Sequence, residues 1–298
     1  MSTDPSSDTL IRFLLPTAGV RGVAVRLDDA WRTVAGRAAY PPAARELLGE
    51  AVAAAALFTG HTKVDGRLSI QLRSQGALRT LFAECTAAGT VRGILQLQEQ
   101  ADAPRDLRDL GDDALLAITV ENPGLDPREP QRYQSLVALS SSRLGEAFED
   151  YFRQSEQLPT RLLLSADDHR ACGLMLQKLP GDEGDADGWN RAGALFDTLG
   201  ETELLATPPH DLLHRLFHEE APRLLAERPV RFGCSCSRER VAGMLHSLGR
   251  EEARAALADG VAKVRCEFCG QEYRFDPAQI EELFAVPTVG ISAPPGLQ

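Results

Sequence analysis

Two cysteine pairs, "CSC" at Cys234 and Cys236 and "CEFC" at Cys266 and Cys269, constrain the end of this chain more tightly than any other feature. They hold four of its six cysteines, in the pattern C-x-C-x29-C-x-x-C. A tetrahedral all-thiolate metal site needs two chelating pairs carried to one point by the intervening fold. Residues i and i+2 of an extended segment point the same way, so a C-x-C can chelate from a strand. Four buried structural thiols would not require two pairs on adjacent turns. A thioredoxin-like C-x-x-C would sit near a βαβ pattern, and none surrounds Cys266. One zinc ion per chain, held by all four cysteines, is the expected cofactor.

The rest of the chain sets the context. At 298 residues and 43% hydrophobic content it can bury a large core, with a smaller domain beside it. A formal charge of −11 argues against nucleic acid as a partner, because phosphate contacts need a basic face. The opening "MSTDPSSDTL" is acidic and polar where a signal peptide would be basic and then apolar. The longest apolar run, "AVAAAALF" at 51–58, falls short of the ~20 residues that cross a bilayer. These features predict a cytoplasmic protein without membrane contact. In that compartment thiols stay reduced, and clustered cysteines bind metal or do redox chemistry.

The first part of the chain reads as α+β, an antiparallel-sheet core with packed helices. "GVAVRLD" alternates, with Val23, Val25 and Leu27 on one face and Ala24 and Arg26 on the other. Residues 66–97 contain three alternating runs separated by "SQG" and "TAAG", an antiparallel meander. Runs at 114–120, 132–139, 160–165 and 172–178 add strands. "PPAARELLGEAVAAAALFTG" reads as a helix opened by prolines and closed at Gly60. "SSSRLGEAFEDYF" reads as another, behind serine cap candidates. Few crossover helices separate the strands, against a doubly wound parallel sheet.

After "LQKLPG" the texture changes. An acidic, glycine-rich stretch at 181–193 leads into short helical pieces broken by Gly200, Pro208, Pro209 and Pro222. Leu212, Leu213, Leu216, Phe217, Leu224 and Leu225 recur there at helical spacing. Helices this short form stably only when their apolar faces dock on something. The last part reads as a capped helix at 237–249, a second at 250–260, a strand–turn–strand carrying Cys266 and Cys269, and a helix after Asp276. The expected divisions are a core at 1–180, a helical linker at 181–230, a C-terminal zinc domain at 231–288 and a loose tail at 289–298.

How the two pairs oxidise separates this site from an inert zinc ribbon. A C-x-x-C can close a disulfide across its turn. In a C-x-C the extended Cα atoms stand about 6.5–7 Å apart, at the edge of bridgeable geometry, so that bond requires a bent backbone. Arg231, Arg238, Arg240, Lys263 and Arg265 flank the cysteines; near sulfur they would favour the thiolate that an oxidant attacks. A module of this size cannot secure itself by its core alone. Structural zinc supplies on the order of 10–16 kcal/mol of folding energy, so losing the ligands should unfold it.

The pairing of "CSC" with "CEFC" after a helical linker resembles the heat-shock protein 33 family of redox-regulated bacterial holdase chaperones. "AGVRG" (18–22), "YPPAARELLGE" (40–50), "GRLSIQL" (66–72), "ECTAAGTVRG" (84–93), "GLMLQKLPG" (173–181) and "LLHRLFHEE" (212–220) read like segments of the same family. The resemblance implies a non-enzymatic, ATP-independent chaperone that binds unfolding proteins once peroxide or hypochlorous acid has oxidised its cysteines. It implies zinc on Cys234, Cys236, Cys266 and Cys269 when reduced, and Cys234–Cys236 and Cys266–Cys269 disulfides when oxidised. A homodimer of the oxidised form is a candidate assembly. The family's client surface does not map onto residues, and the apolar linker positions named above are the candidates.

Two other classes compete: a thiol–disulfide oxidoreductase, which explains only the C-x-x-C, and a zinc-ribbon assembly or nucleic-acid module, which the acidic charge opposes. Cys85 and Cys172 fall outside the motif and read as ordinary strand residues. His210, His214 and His218 share a helical spacing but lack the H-E-x-x-H of a zinc helix, and read as a solvated face.

Overall fold

The computed structural model describes residues 8–99, 101, 104–124, 130–181 and 185–285. The expected tail at 289–298, and the last residues of the region read as 231–288, lie outside them. The chain forms two compact units, Met1–Cys234 and Ser235–Gln298, divided inside the C-x-C itself.

The first unit contains, in order, β1 (Thr9–Leu15), β2 (Val20–Leu27), α1 (Asp29–Ala35), α2 (Pro42–His61), β3 (Arg67–Arg73), β4 (Leu78–Thr86), β5 (Thr90–Leu97), β6 (Leu115–Asn122), β7 (Gln131–Val137), α3 (Leu144–Tyr151), β8 (Thr160–Ala166) and β9 (Ala171–Lys178). It continues through α4 (Gly188–Phe196), α5 (Glu201–Ala206), α6 (Pro209–Phe217), β10 (Arg223–Pro229) and β11 (Arg231–Phe232). The strands form a five-stranded sheet ordered β10-β1-β2-β9-β8 and a six-stranded sheet ordered β11-β5-β4-β3-β6-β7. Among these pairings only β11 with β5 is parallel. The fold is α+β with antiparallel sheets.

Helix α2 packs against strands of both sheets and is buried all round from Leu47 to Gly60. Its run of small alanines lets both sheets come close, as expected of a helix without a polar face. The strands yield where it presses nearest. At Gly173 on β9 an added Cβ would meet Leu57 at 2.6 Å, and at Gly93 on β5 it would meet Val52 at 2.9 Å. One core therefore runs from β2 through α2 to the six-stranded sheet.

The other face of the five-stranded sheet carries a second core. Alternation in β1 and β2 sends Leu10, Val23, Val25 and Leu27 toward α2, and Ile11, Phe13, Leu15 and Ala24 to the opposite side. Helices α4, α5 and α6 cover that opposite side with Phe196, Leu199, Leu204, Leu212, Leu213, Leu216 and Phe217. Phe217 stacks on Phe13 with ring centroids 6.1 Å apart.

One stretch read as helix is strand. Ala221 takes a left-handed φ of 48° and Pro222 follows it, ending the helical spacing. The chain then extends as β10 and pairs antiparallel with β1, Leu10 opposite Arg228. The open edge of β1 offers backbone hydrogen bonds that outweigh a weak local helical preference. Leu224 and Leu225 consequently lie on an edge strand, 48% and 47% exposed, and are not part of a covered helical face.

The second unit contains α7 (Arg238–Leu248), α8 (Arg250–Ala255), β12 (Ala262–Arg265), β13 (Glu272–Phe275) and α9 (Pro277–Leu283). Ser237 caps α7 by accepting from the Arg240 N–H, and Asp276 with Gln279 forms a capping box on α9. Helix α8 ends sooner than expected, and a 3-10 turn at Ala258–Gly260 completes the segment. Its core is small: Val241, Leu245, Phe275 and Ile280 are the large buried side chains among the described residues, with Ala253 and Ala262 between them.

Candidate metal centre

The C-x-x-C sits on the turn between β12 and β13. That turn closes through the Gly270 N–H to the Cys266 carbonyl at 2.8 Å and the Cys266 N–H to the Gln271 carbonyl at 2.9 Å. Gly270 has φ of 73°, a left-handed step that glycine takes without strain. The C-x-C lies between β11 and α7. Just before it, the Gly233 N–H bonds the Val91 carbonyl of β5 at 3.1 Å, and the Ser237 cap follows it. Sheet pairing on one side and a helix cap on the other thus hold Cys234 and Cys236.

The four Sγ atoms all lie within 4.8 Å of one another, and those of Cys236 and Cys269 are 3.3 Å apart. Four sulfurs at about 2.3 Å from a tetrahedral zinc would stand about 3.8 Å apart, so the donor set fits that ion in number, chemistry and spacing. All four cysteines are free of disulfides and partly buried. Among the described residues they are the one group of three or more His, Cys, Asp or Glu side chains close enough to share a metal.

Two neighbours of the sulfurs escaped the sequence reading. The Tyr273 hydroxyl donates to Cys236 Sγ at 3.1 Å, and this bond holds the phenol above its usual range. Arg92 on β5 forks onto Glu84 of β4, its cross-strand partner, with Nε to Oε1 at 2.8 Å and Nη2 to Oε2 at 3.2 Å. Burial disfavours the charge on Arg92, but hydrogen bonds to Glu84 and to Cys234 outweigh it and raise its pKa. Arg92 lies far from the motif in sequence, and only the β4–β5 register with β11 on the β5 edge brings it there. Of the flanking cations, Arg238 is engaged elsewhere: it donates to the Arg274 carbonyl and Gln279, and lies 4.3 Å over the Phe275 ring.

The other candidates are placed as follows. Leu212, Leu213, Leu216 and Phe217 are buried in the second core. His210 faces Glu227 at 3.1 Å and His214 neighbours the His218 ring, all three on an exposed surface. Cys85 on β4 and Cys172 on β9 are fully buried, and burial pushes their thiols up to about 11 and about 12. Thiols held so high stay protonated and poorly nucleophilic. Among the described residues, no helix is long and apolar enough to cross a membrane.

A profile of the Hsp33 protein family matches residues 8–276. The 33 kDa chaperonin of Ectopseudomonas mendocina is 44% identical over 282 residues, covering 92% of this chain and 94% of its own. That of Chromobacterium violaceum is 41% identical over 278 residues, covering 93% and 94%. That of Pseudomonas fluorescens is 40% identical over 302 residues, covering 99% and 98%. The crystal structure of the 33 kDa chaperonin from Thermotoga maritima, a heat shock protein 33 homologue, superposes with a TM-score of 0.73 at 22% identity. That superposition covers 93% of this chain and 97% of the other, and establishes a shared fold. With a profile match over most of its length and relatives at 40–44% identity across nearly whole chains, this chain belongs to the Hsp33 chaperone family.

Proposed function

We propose that the chain is a redox-regulated, ATP-independent holdase that is inactive when reduced and binds unfolding proteins after oxidation. The observation that carries this reading is the burial of the linker's apolar face, Leu212, Leu213, Leu216 and Phe217, in a structure whose four clustered cysteines form no disulfide. The parts are the core at 1–180, the linker at 181–230 and the zinc-binding region from 231. Zinc, when bound, supplies the centre that ties the two cysteine pairs together; Cys234, Cys236, Cys266 and Cys269 would hold it.

Peroxide takes two electrons from each pair: two thiols and one H₂O₂ give one disulfide and two waters. The products are Cys234–Cys236 and Cys266–Cys269, and neither retains a thiolate for metal. The small C-terminal core then lacks its staple and unfolds. A change at Cys234 reaches the linker along the covalent chain. Gly233, β11 and β10 follow one another without a break, so bending the C-x-C pulls on strands paired to β5 and β1. Once β10 and α4 to α6 detach, the linker's apolar residues and the sheet face under them become a client surface. The net charge of −11 keeps that open form soluble. Its partners are unfolding proteins and, when oxidised, a second copy; it acts in the cytoplasm, on neither nucleic acid nor membrane, without catalytic turnover.

Light scattering of a heat-aggregating client, with reduced and peroxide-treated protein and a chromogenic chelator following zinc, tests the reading. Suppression of scattering should appear only after treatment and rise with zinc release. Equal suppression by the reduced, zinc-loaded protein, or steady turnover of a small disulfide by the C-x-x-C, would overturn it.

A further inference from the structure

A partly enclosed cavity of about 400 Å³ opens in the first unit at the C-terminal end of α2, away from the linker helices. Arg21 of β2 and Gln177 of β9 form its polar end, and Leu68, Ile118, Val120, Phe58 and Phe152 form its apolar wall. Its volume falls within the roughly 300–1,000 Å³ range of small-molecule sites. Nothing in the holdase cycle uses it.

The polar end is built and held rigid. Gln177 is fully buried; its carbonyl accepts from Arg21 Nε at 3.2 Å, and its amide donates to Thr160 Oγ1 at 3.0 Å. Arg21 Nη2 lies 3.0 Å from His61 Nε2. Burial and the neighbouring Arg21 push His61 down to about 3, so the ring is neutral and accepts from the guanidinium. Two sides of Arg21 are thereby fixed by uncharged partners, which leaves Nη1 without a hydrogen-bond partner among the described residues. No carboxylate pairs with Arg21, with Lys63 on the cavity lining or with nearby Arg12 among the described residues. In a chain of net charge −11, whose arginines are so often ion-paired, a half-buried guanidinium without a counter-charge stands out. The one carboxylate of the lining, Glu156, is held by the Tyr151 hydroxyl at 2.9 Å. At the rim, Tyr133 is 64% exposed on β7, so much of its aromatic face is open to a ligand.

We propose that this cavity binds a small amphipathic carboxylate. One carboxylate oxygen would accept from Arg21 Nη1, with Lys63 adding charge, and an aromatic or short aliphatic body would lie along Phe58, Phe152 and Tyr133. Because Nε and Nη2 are already engaged, the head group is met by a single guanidinium nitrogen and not by the two-pronged fork common at carboxylate sites.

Calorimetry on the reduced, full-length protein tests this, with 3-phenylpropionate and hexanoate as probes and 3-phenylpropionamide as the neutral control. Saturable binding of one carboxylate per chain is expected, with the amide weaker by about tenfold or more. Arg21→Gln should weaken the carboxylate by about as much and leave the amide unchanged. Lys63→Gln and Tyr133→Ala alter exposed side chains, so they keep the test decisive if Arg21→Gln fails to fold; each should weaken the carboxylate severalfold. No saturable binding of either acid, equal affinity for acid and amide, or acid affinity unmoved by Lys63→Gln and Tyr133→Ala would overturn the proposal.

Discussion

Replacing Phe217 by alanine should open the linker without any oxidant. Phe217 is fully buried and stacks on Phe13, and the hole it leaves cannot close easily. Phe13 in turn packs tightly against Gly22, where even a Cβ would come within 2.1 Å of its ring. Phe→Ala at such a fully buried site costs about 3–5 kcal/mol. Only linker docking loses that energy, because α2 and the six-stranded sheet belong to the other core. At about 1.4 kcal/mol per decade, the open linker should become roughly a hundred to several thousand times more populated. Hydrogen exchange on the reduced, zinc-loaded protein reads this directly. Amides of α4 to α6 should lose protection by that factor while those of β3, β4 and β5 keep theirs, and holdase activity should appear without peroxide. A loss below about tenfold in α6, or an equal loss in β3 to β5, would refute the argument that the linker is held by this contact and opens as a separate unit.

A Cys266→Ser, Cys269→Ser variant should no longer retain stoichiometric zinc, and wild-type zinc content by metal analysis would remove these residues from the site. In the wild type, zinc binding should also weaken at low pH, since protons compete for the thiolates. During brief peroxide treatment, disulfide mapping should find Cys266–Cys269 ahead of Cys234–Cys236, because the first closes across an existing turn and the second must bend its backbone; the reverse order would contradict this. Burial, with Arg21 beside it, pushes His61 down to about 3. Between the unfolded value near 6.5 and about 3, the unfolded chain therefore binds a proton that the folded chain does not, and stability falls as pH drops through that window. Urea melts between pH 7 and 5 should show a loss approaching ~1.4 kcal/mol per pH unit, absent in His61→Gln; identical slopes in both would sink it.

Local signals and long-range pairing divide what could be read from the chain. The meander at 66–97 alternates cleanly because one of its faces is buried, and it emerges as β3, β4 and β5. Caps on α7 and α9 use side chains within three residues of the backbone they satisfy, so Ser237 and Asp276 announce themselves. The cysteine pattern singled out the four sulfurs that the fold brings within 4.8 Å of one another, because chelation fixes spacing. By contrast, β10 owes its shape to the unpaired edge of β1, more than two hundred residues earlier, and nothing within "RLLAERP" reveals that partner. Helix α3 draws its cap from Glu146 reaching back to the Arg143 N–H, while the serines expected to cap it do not. Arg92 stands beside Cys234 only because the parallel β11–β5 pair brings two distant segments together. Tyr273 was nearer at hand: it sits on β13 just after the C-x-x-C turn, where alternation could have pointed its hydroxyl at the sulfurs.

The two cysteines sealed inside the sheets give the molecule a gauge of its own damage. Cys85 lies beneath α2, where the Thr59 hydroxyl bonds its carbonyl at 3.4 Å, and Cys172 lies between the five-stranded sheet and the linker helices. A bulky thiol reagent applied to the reduced, metal-free protein should count four sulfurs, and to the fully oxidised protein with its linker still docked, none. The intermediate readings are the informative ones. Labelling of Cys172 alone would signal that the linker has lifted from its sheet, because α4 to α6 are what cover that side. Labelling of Cys85 requires α2 to part from β4, which is loss of the core itself. The order in which these sulfurs become visible therefore separates a chaperone that has opened from one that has failed.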